Sequence, residues 1–391
     1  MIRKPAKLLR KRRLAPGVSR ANPGSSPGVL HHTPLHLPTR VSVTAYGPEG
    51  FAQHDDVTDM DFIDQLARDW PVVWIAVNGL ENIQLIEKIG EWYDLDKLHL
   101  EDVLDVGQRP KIEMNEHMIF SILKAVSYQE QIETEQVSMF VKKNVVIVFQ
   151  EKSSQRFEQV RKRLRIGSAR IRSFGADYLF YALLDEVIDR YFPILDKLNA
   201  TLLEIEDGIF SEYTEAGSSG EQDTIRQIHH VKNDLLLLNR AIWPVIEMTN
   251  LLVREESDLI TKPTRGFLKD CYDHSQQASE LSQFYRDTAA GLLNTYLAYE
   301  GHKTNETVKV LTMISAVFIP LTLVASIFGM NFEHAYPAWD SDYGFLFALG
   351  LMGVLVAMMF GIFNRMGWLP RGLVARRSKP KVQDESTSLD G

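Results

Sequence analysis

Cysteine is almost absent: Cys271 stands alone among 391 residues, so no disulfide can close within the chain. The soluble part is therefore expected to face a reducing cytosol, with Cys271 serving as a small apolar helix residue. Acid is missing from the first 48 residues, which hold nine Lys and Arg; this leaves −17 on the remainder of a chain whose formal net charge is −8. An acidic body suits cations as partners and argues against nucleic acid. The basic segment has no apolar core of signal-peptide length, and its Pro and Gly content makes residues 1–40 read as a disordered tail. There is no Gly-rich lysine loop for phosphate and no nucleophile–base constellation, so neither a nucleotide motor nor an enzyme is expected.

Two long runs lack charge altogether. Residues 310–328 read VLTMISAVFIPLTLVASIF, and residues 345–363 form a second uncharged run. As helices, both are long enough to cross a hydrocarbon core of roughly 30 Å. The connection between them carries Glu333, Asp340 and Asp342 without Lys or Arg, whereas Arg365, Arg371, Arg376, Arg377, Lys379 and Lys381 follow the second run. The bias of basic residues towards the cytoplasmic side then puts both termini in the cytoplasm and the loop outside, in the cell's inner (plasma) membrane.

What is present divides the rest of the chain. Residues 41–172 alternate β-branched runs (71–80, 117–128 and 137–150, the last bending at Lys143-Asn144) with helical stretches at 81–93 and 97–106, which predicts a cytoplasmic α/β domain. Residues 173–308 read as helices: one stretch over 176–210, a polar break at 215–223, and a second helix over 225–253. Thr261-Lys262-Pro263 starts a third helix, with Pro tolerated in the first turn. Only Pro320 interrupts it before Gly329, and membrane helices accommodate proline. Its roughly 65 residues amount to about 100 Å. The expected fold is an α-helical membrane protein with an α/β cytoplasmic domain. A long stalk helix continues into the first transmembrane helix (309–330), followed by an external loop (331–343), a second transmembrane helix (344–364) and a basic tail (365–391).

Asn305, Val308, Thr312, Ser315, Ile319, Thr322 and Ser326 recur at alternating steps of three and four along that helix, which makes one face in coiled-coil register. Serine and threonine in spans also help helices pack, or bond their own carbonyls. A continuous stripe that ends at Gly329-Met330-Asn331, beside the break in the helix, points instead to a path for ions. Two spans cannot enclose such a path, so the chain must assemble with cyclic symmetry. Val308 and Ile319 would then form apolar rings able to gate by dewetting. With no charge in the lining, full dehydration of a divalent ion would be costly, and Mg²⁺ sheds water reluctantly, so a hydrated ion fits best.

The segment NETVKVLTMISAVFIPLTLVASIFGMN followed by FEH and a second span resembles the CorA family of magnesium channels and transporters. LEDVLDVGQRPKIE at 100–113 and FLKDCYDH at 267–274 are similar to that family's cytoplasmic and stalk signatures, and the resemblance covers about residues 45–370. It implies a homopentameric funnel embedded in the lipid bilayer that takes up Mg²⁺, with Co²⁺ and Ni²⁺ often carried. It also implies a selectivity filter of Gly329, Met330 and Asn331, with Gly329 giving the turn. The family's pore positions match the stripe with Leu311 added, and Glu333 stands at its outer mouth. By the same resemblance, Asp102, with neighbouring Glu101, and Asp270 form a regulatory Mg²⁺ site between subunits, through which internal Mg²⁺ holds the ring closed. The loop reads AYPAWDSD where the family often has MPEL, and Val308 and Ile319 stand where methionine is common. The alternative is a Zn²⁺ or other transition-metal transporter of the same superfamily. The absence of His and Cys between Asn305 and Asn331 disfavours it, because soft ions prefer those ligands.

Overall fold

The computed structural model describes residue 30 and residues 37–129, 131–152, 156–167, 171–214, 221–330 and 343–368, with the side chains of 211–214 and 221–222 excepted. Most of the two basic tails, and Asn331 and Glu333, lie outside these residues. The chain divides into two compact units, Met1–Leu293 and Asn294–Gly391.

Unit 1 is built on one mixed seven-stranded sheet of order β2-β1-β3-β7-β6-β5-β4. Its strands are β1 (Arg40–Gly47), β2 (Gly50–His54), β3 (Val72–Asn78), β4 (Lys111–Met114), β5 (Ile119–Tyr128), β6 (Ile132–Val141) and β7 (Val145–Gln150). Only β3 and β7 pair in parallel; every other neighbour is antiparallel. The expected hairpin around Lys143-Asn144 is the β6–β7 pair, with Val141 opposite Val146. The β1–β2 hairpin around Gly47-Pro48-Glu49-Gly50 is an additional element, signalled by a Gly-Pro turn between β-branched and aromatic residues.

Alternation along the strands sends side chains to both faces of the sheet. Val73, Ile75 and Val77 join Phe120, Ile122, Phe140, Ile147 and Phe149 in a core closed by helices α1 (Met60–Asp69), α2 (Ile83–Trp92) and α3 (Lys97–Leu104). Each helix starts on a side-chain cap: Asp59, Asn82 and Asp96 accept from the backbone N–H of Asp61, Leu85 and Leu98. Trp74 instead meets Phe157 at 6.1 Å and the Arg161 guanidinium at 4.6 Å, at α4 (Glu158–Ile166).

Helices α5 (Ala176–Asp189), α6 (Tyr191–Thr214) and α7 (Glu221–Arg254) follow in the same unit, which also takes in the first part of α8. The helical stretch expected over 176–210 is thus two helices. Pro193 has no N–H for the Asp189 carbonyl, so the ladder breaks at Arg190, with the proline in the first turn of α6. Between sheet and helices, Arg156 donates to Glu135 Oε2 at 2.7 Å, both side chains almost fully buried. Helix α7 is long and apolar enough to cross a membrane by length and composition alone. Part of its apolar surface, including Leu235, Leu238, Ile242 and Val245, is buried within the unit, where α7 packs against α6 and β5, while Leu236, Leu237 and Trp243 stay exposed.

Helix α8 runs for 67 residues, Lys262–Phe328, as the uninterrupted pattern from Thr261 predicts. Its start is fixed by Asp177 at the head of α5, which accepts from the Thr261 N–H at 3.0 Å and from its hydroxyl at 2.7 Å. Phe267 stacks on Tyr181 and meets Tyr178 of α5 edge-on, and Ser282 donates to the Leu235 carbonyl of α7. Unit 2 contains the C-terminal part of α8 and helix α9 (Gly344–Arg365), with Phe328 and Phe347 rings 6.5 Å apart.

Candidate ion pathway and cation sites

Along α8, Asn305, Val308, Leu311, Thr312, Ser315, Ile319, Thr322 and Ser326 are all exposed to the surroundings of the single chain. Within and beside the stripe, Leu311, Phe318, Ile319 and Leu323 each show more than 60% of their surface, and Phe345 of α9 shows 75%. A contiguous apolar surface of this extent requires lipid or further protein around it.

The hydroxyls do one thing that spacing alone left open. Thr312 Oγ1 donates to the Val308 carbonyl and Thr322 Oγ1 to the Phe318 carbonyl, both at 2.8 Å. Their protons are therefore committed to their own helix, and the oxygen lone pairs remain as acceptors. At the end of the stripe, the Gly329 N–H donates to the Ala325 carbonyl at 3.0 Å and that of Met330 to Ile327 at 3.2 Å. Helix α8 thus ends at Phe328, with Gly329 and Met330 in its closing turn. Left-handed glycines, among the described residues, are Gly79, Gly167 and Gly367, so Gly329 does not supply a left-handed turn. A Cβ added there would stand 3.3 Å from the Ala325 carbonyl oxygen, tight against the preceding turn.

In unit 1, Asp102 lies in the last turn of α3 and is partly buried. Lys111, at the start of β4, reaches it: Nζ is 2.7 Å from Asp102 Oδ2 and 2.6 Å from Glu113 Oε1. Burial pulls the Lys111 amine down, but the hydrogen bonds and charges of Asp102 and Glu113 outweigh it and hold it above its ordinary value. Glu113 is held below the usual carboxylate range by Lys111 first and then His99, whose Nε2 is 2.9 Å from Glu113 Oε2. The His99 ring lies 4.3 Å from that of Phe120. Glu101 is half-buried beside Asp102, its carbonyl accepting from the Asp105 N–H that caps α3.

Asp270 is exposed on α8 and makes no ion pair among the described residues. Within one chain the structure does not bring it into a shared bond with Asp102. Cys271 beside it is fully buried, as an apolar helix residue would be, and burial followed by the Asp185 carboxylate pushes its thiol well up. The pattern reading missed Asp185 and Asp189 of α5 together with His274 of α8, whose ligand atoms all lie within 4.8 Å of one another. Burial, then the charge of Asp189, raises the Asp185 carboxyl above its ordinary value. Two carboxylates and an imidazole can take a divalent ion whose remaining ligands are water. The i,i+4 spacings of 185/189 and 270/274 were the available signals, but only the packing of α5 on α8 brings one pair to face a member of the other.

Two uncovered apolar spans, one of them bearing an exposed polar stripe and continuing from a soluble α/β unit, define an integral membrane protein with two transmembrane helices. Residues 71–365 match the CorA-like Mg²⁺ transporter protein family. The chain belongs to that family, a family of transporters rather than enzymes. It is 35% identical over 353 residues to the cobalt/magnesium transport protein CorA of Thermotoga maritima, covering 89% of this chain and 98% of that one. It is 28% identical to the putative metal ion transporter YfjQ of Bacillus subtilis, over 75% of this chain and 89% of the relative. In fold it is similar to the complete structure of the CorA magnesium transporter from Methanocaldococcus jannaschii. The TM-score is 0.71 at 22% identity, over 85% of this chain and all of the other. The full-length CmaX structure shares the fold at a TM-score of 0.65 and 15% identity, over 85% of this chain and 98% of that one.

Proposed function

We propose that this chain is a homopentameric channel for Mg²⁺, also passing Co²⁺ and Ni²⁺, in the plasma membrane, with both termini cytoplasmic. The observation that carries this reading is the exposed face from Asn305 to Ser326 on a single continuous helix, ending at the GMN tripeptide. Five copies of that face around an axis enclose a path that two spans alone cannot. Thr312 and Thr322, with their protons on their own carbonyls, offer acceptors. A hydrated cation presents its water hydrogens outward, so it meets this lining without shedding its shell. Asn331 forms the selectivity ring at the outer mouth, with Glu333 beside it. An inside-negative potential of ~100 mV supplies about 4.6 kcal/mol for a double charge, so the flux is passive.

Internal Mg²⁺ closes the ring by bridging Asp102, with Glu101, of one copy to Asp270 of the next. Acids facing each other across an interface repel until a divalent ion joins them. Mg²⁺ is thus both substrate and regulatory ligand. The test is uptake into liposomes holding the purified protein. Asn331→Ala is expected to abolish Mg²⁺ flux while the oligomer stays intact on size exclusion, and normal flux would sink the pore assignment.

A further inference from the structure

The segment that carries Asp102 also carries, nine residues on, the cation that occupies it. Lys111 is tied at three points: 2.7 Å from Asp102 Oδ2, 2.6 Å from Glu113 Oε1, and 5.5 Å from the centre of the Phe120 ring. Glu113 is itself held by His99 at 2.9 Å, and His99 lies against Phe120. The Glu113 end of the bridge is therefore anchored, while the Asp102 side chain is the more enclosed partner, 19% exposed against 49%. An ammonium held by two carboxylates keeps one when it loses the other, so Lys111 can leave Asp102 without leaving its place.

We propose that Lys111 is a tethered counter-cation for Asp102, which a divalent ion must displace, and that this exchange sets the Mg²⁺ concentration at which the cytosolic site responds. The proposal rests on the reading of Asp102 as a regulatory ligand. A monovalent point charge already in contact competes with Mg²⁺ for the same oxygen, and it lessens the repulsion between metal-free acids. Glu113 governs the competition from the other side, because a lysine deprived of Glu113 gives all its hydrogen bonding to Asp102.

The measurement is the internal Mg²⁺ concentration that half-inhibits Mg²⁺ uptake by the full-length protein in liposomes, paired with Mg²⁺-induced protection of the detergent-solubilised protein from protease. Lys111→Gln is expected to lower the half-inhibiting concentration roughly two- to fivefold, the span of a partly exposed ion pair. Glu113→Gln is expected to raise it, and Lys111→Arg to stay near the parent. Arg109→Gln, which removes an exposed charge from the same loop without touching Asp102, is expected to leave it unchanged. In the Asp102→Asn background, Lys111→Gln should have no further effect, since the contact is already gone. A Lys111→Gln shift that persists in that background, or an equal shift from Arg109→Gln, would overturn the proposal in favour of a diffuse field. An unchanged response in Lys111→Gln, with Asp102→Asn still impairing inhibition, overturns it and leaves the regulatory site standing. If Asp102→Asn itself leaves inhibition unchanged, it is the regulatory reading that falls. Should Lys111→Gln fail to assemble, the rise in Glu113→Gln and its absence in Asp102→Asn/Glu113→Gln decide the matter.

Discussion

Helix α8 is one element in two environments. In its first part Leu268, Cys271, Ser275, Ala278 and Ala289 are buried by the rest of the chain, whereas Leu311, Phe318, Ile319 and Leu323 further along are more than 60% exposed. The backbone is the same and the apolar content is higher where the covering is absent. The first part thus has its partners within the chain, in α5 and α7. The second part requires lipid or further protein around it, because water cannot be its solvent. Hydrophobicity alone does not distinguish these cases: α7 is also apolar enough to span, yet a good part of its apolar surface is buried within the unit, where it packs on α6 and β5.

The largest expected effect breaks the covered half. Leu268→Ala leaves a cavity at a fully buried position of α8 and should cost about 2–5 kcal/mol, read as a lowered Tm of the solubilised protein; Leu323→Ala, at a position 61% exposed within its own chain, should leave that transition in place. Equal losses from both would erase the contrast. Asp270→Lys tests an exposed acid beside the buried Cys271 on the first part of α8. It should raise the half-inhibiting internal Mg²⁺ more than tenfold, about 1.4 kcal/mol per decade, and an unchanged Mg²⁺ response would remove Asp270 from the sensor. The finest comparison uses one hydrogen bond in two places. Thr288 Oγ1 donates to the Phe284 carbonyl at 3.0 Å just as Thr322 Oγ1 donates to Phe318 at 2.8 Å. Thr322→Val should slow Mg²⁺ uptake roughly two- to tenfold, the worth of one lost acceptor, while Thr288→Val should not. Equal rates in the two variants would mean that both hydroxyls serve only their own helix.

Long periodic and uncharged runs were legible because helix length and bilayer thickness are set by geometry, so Thr261 to Gly329 could be read as one helix. The strands at 72–78, 119–128 and 145–150 were legible for a similar reason, being β-branched runs between polar turns. The β1–β2 hairpin is marked in the sequence only by its Gly-Pro turn, since the five residues of β2 leave little alternation. The break at Arg190 was hidden by continuous helical spacing, although Pro193 marks it. At the candidate sites, the stripe followed from spacing, but the direction of the Thr312 and Thr322 hydroxyl protons did not. Asp102 was singled out by resemblance; that Lys111 holds it was not, because a lysine nine residues away meets an acid only when α3 and β4 are laid side by side.

By itself the sequence determined that there are two spans, where they lie, that a polar face runs along the first, and that the soluble part mixes strands with helices. These are local properties, dictated by hydropathy, periodicity and turn chemistry over tens of residues. Only the tertiary structure decided which apolar helix is covered by its own chain. It also decided that Asp185 and Asp189 face His274, and that Asp102 is already paired with a cation. Those depend on distances between residues far apart in the chain, which no periodicity records and which packing alone brings to a few ångströms.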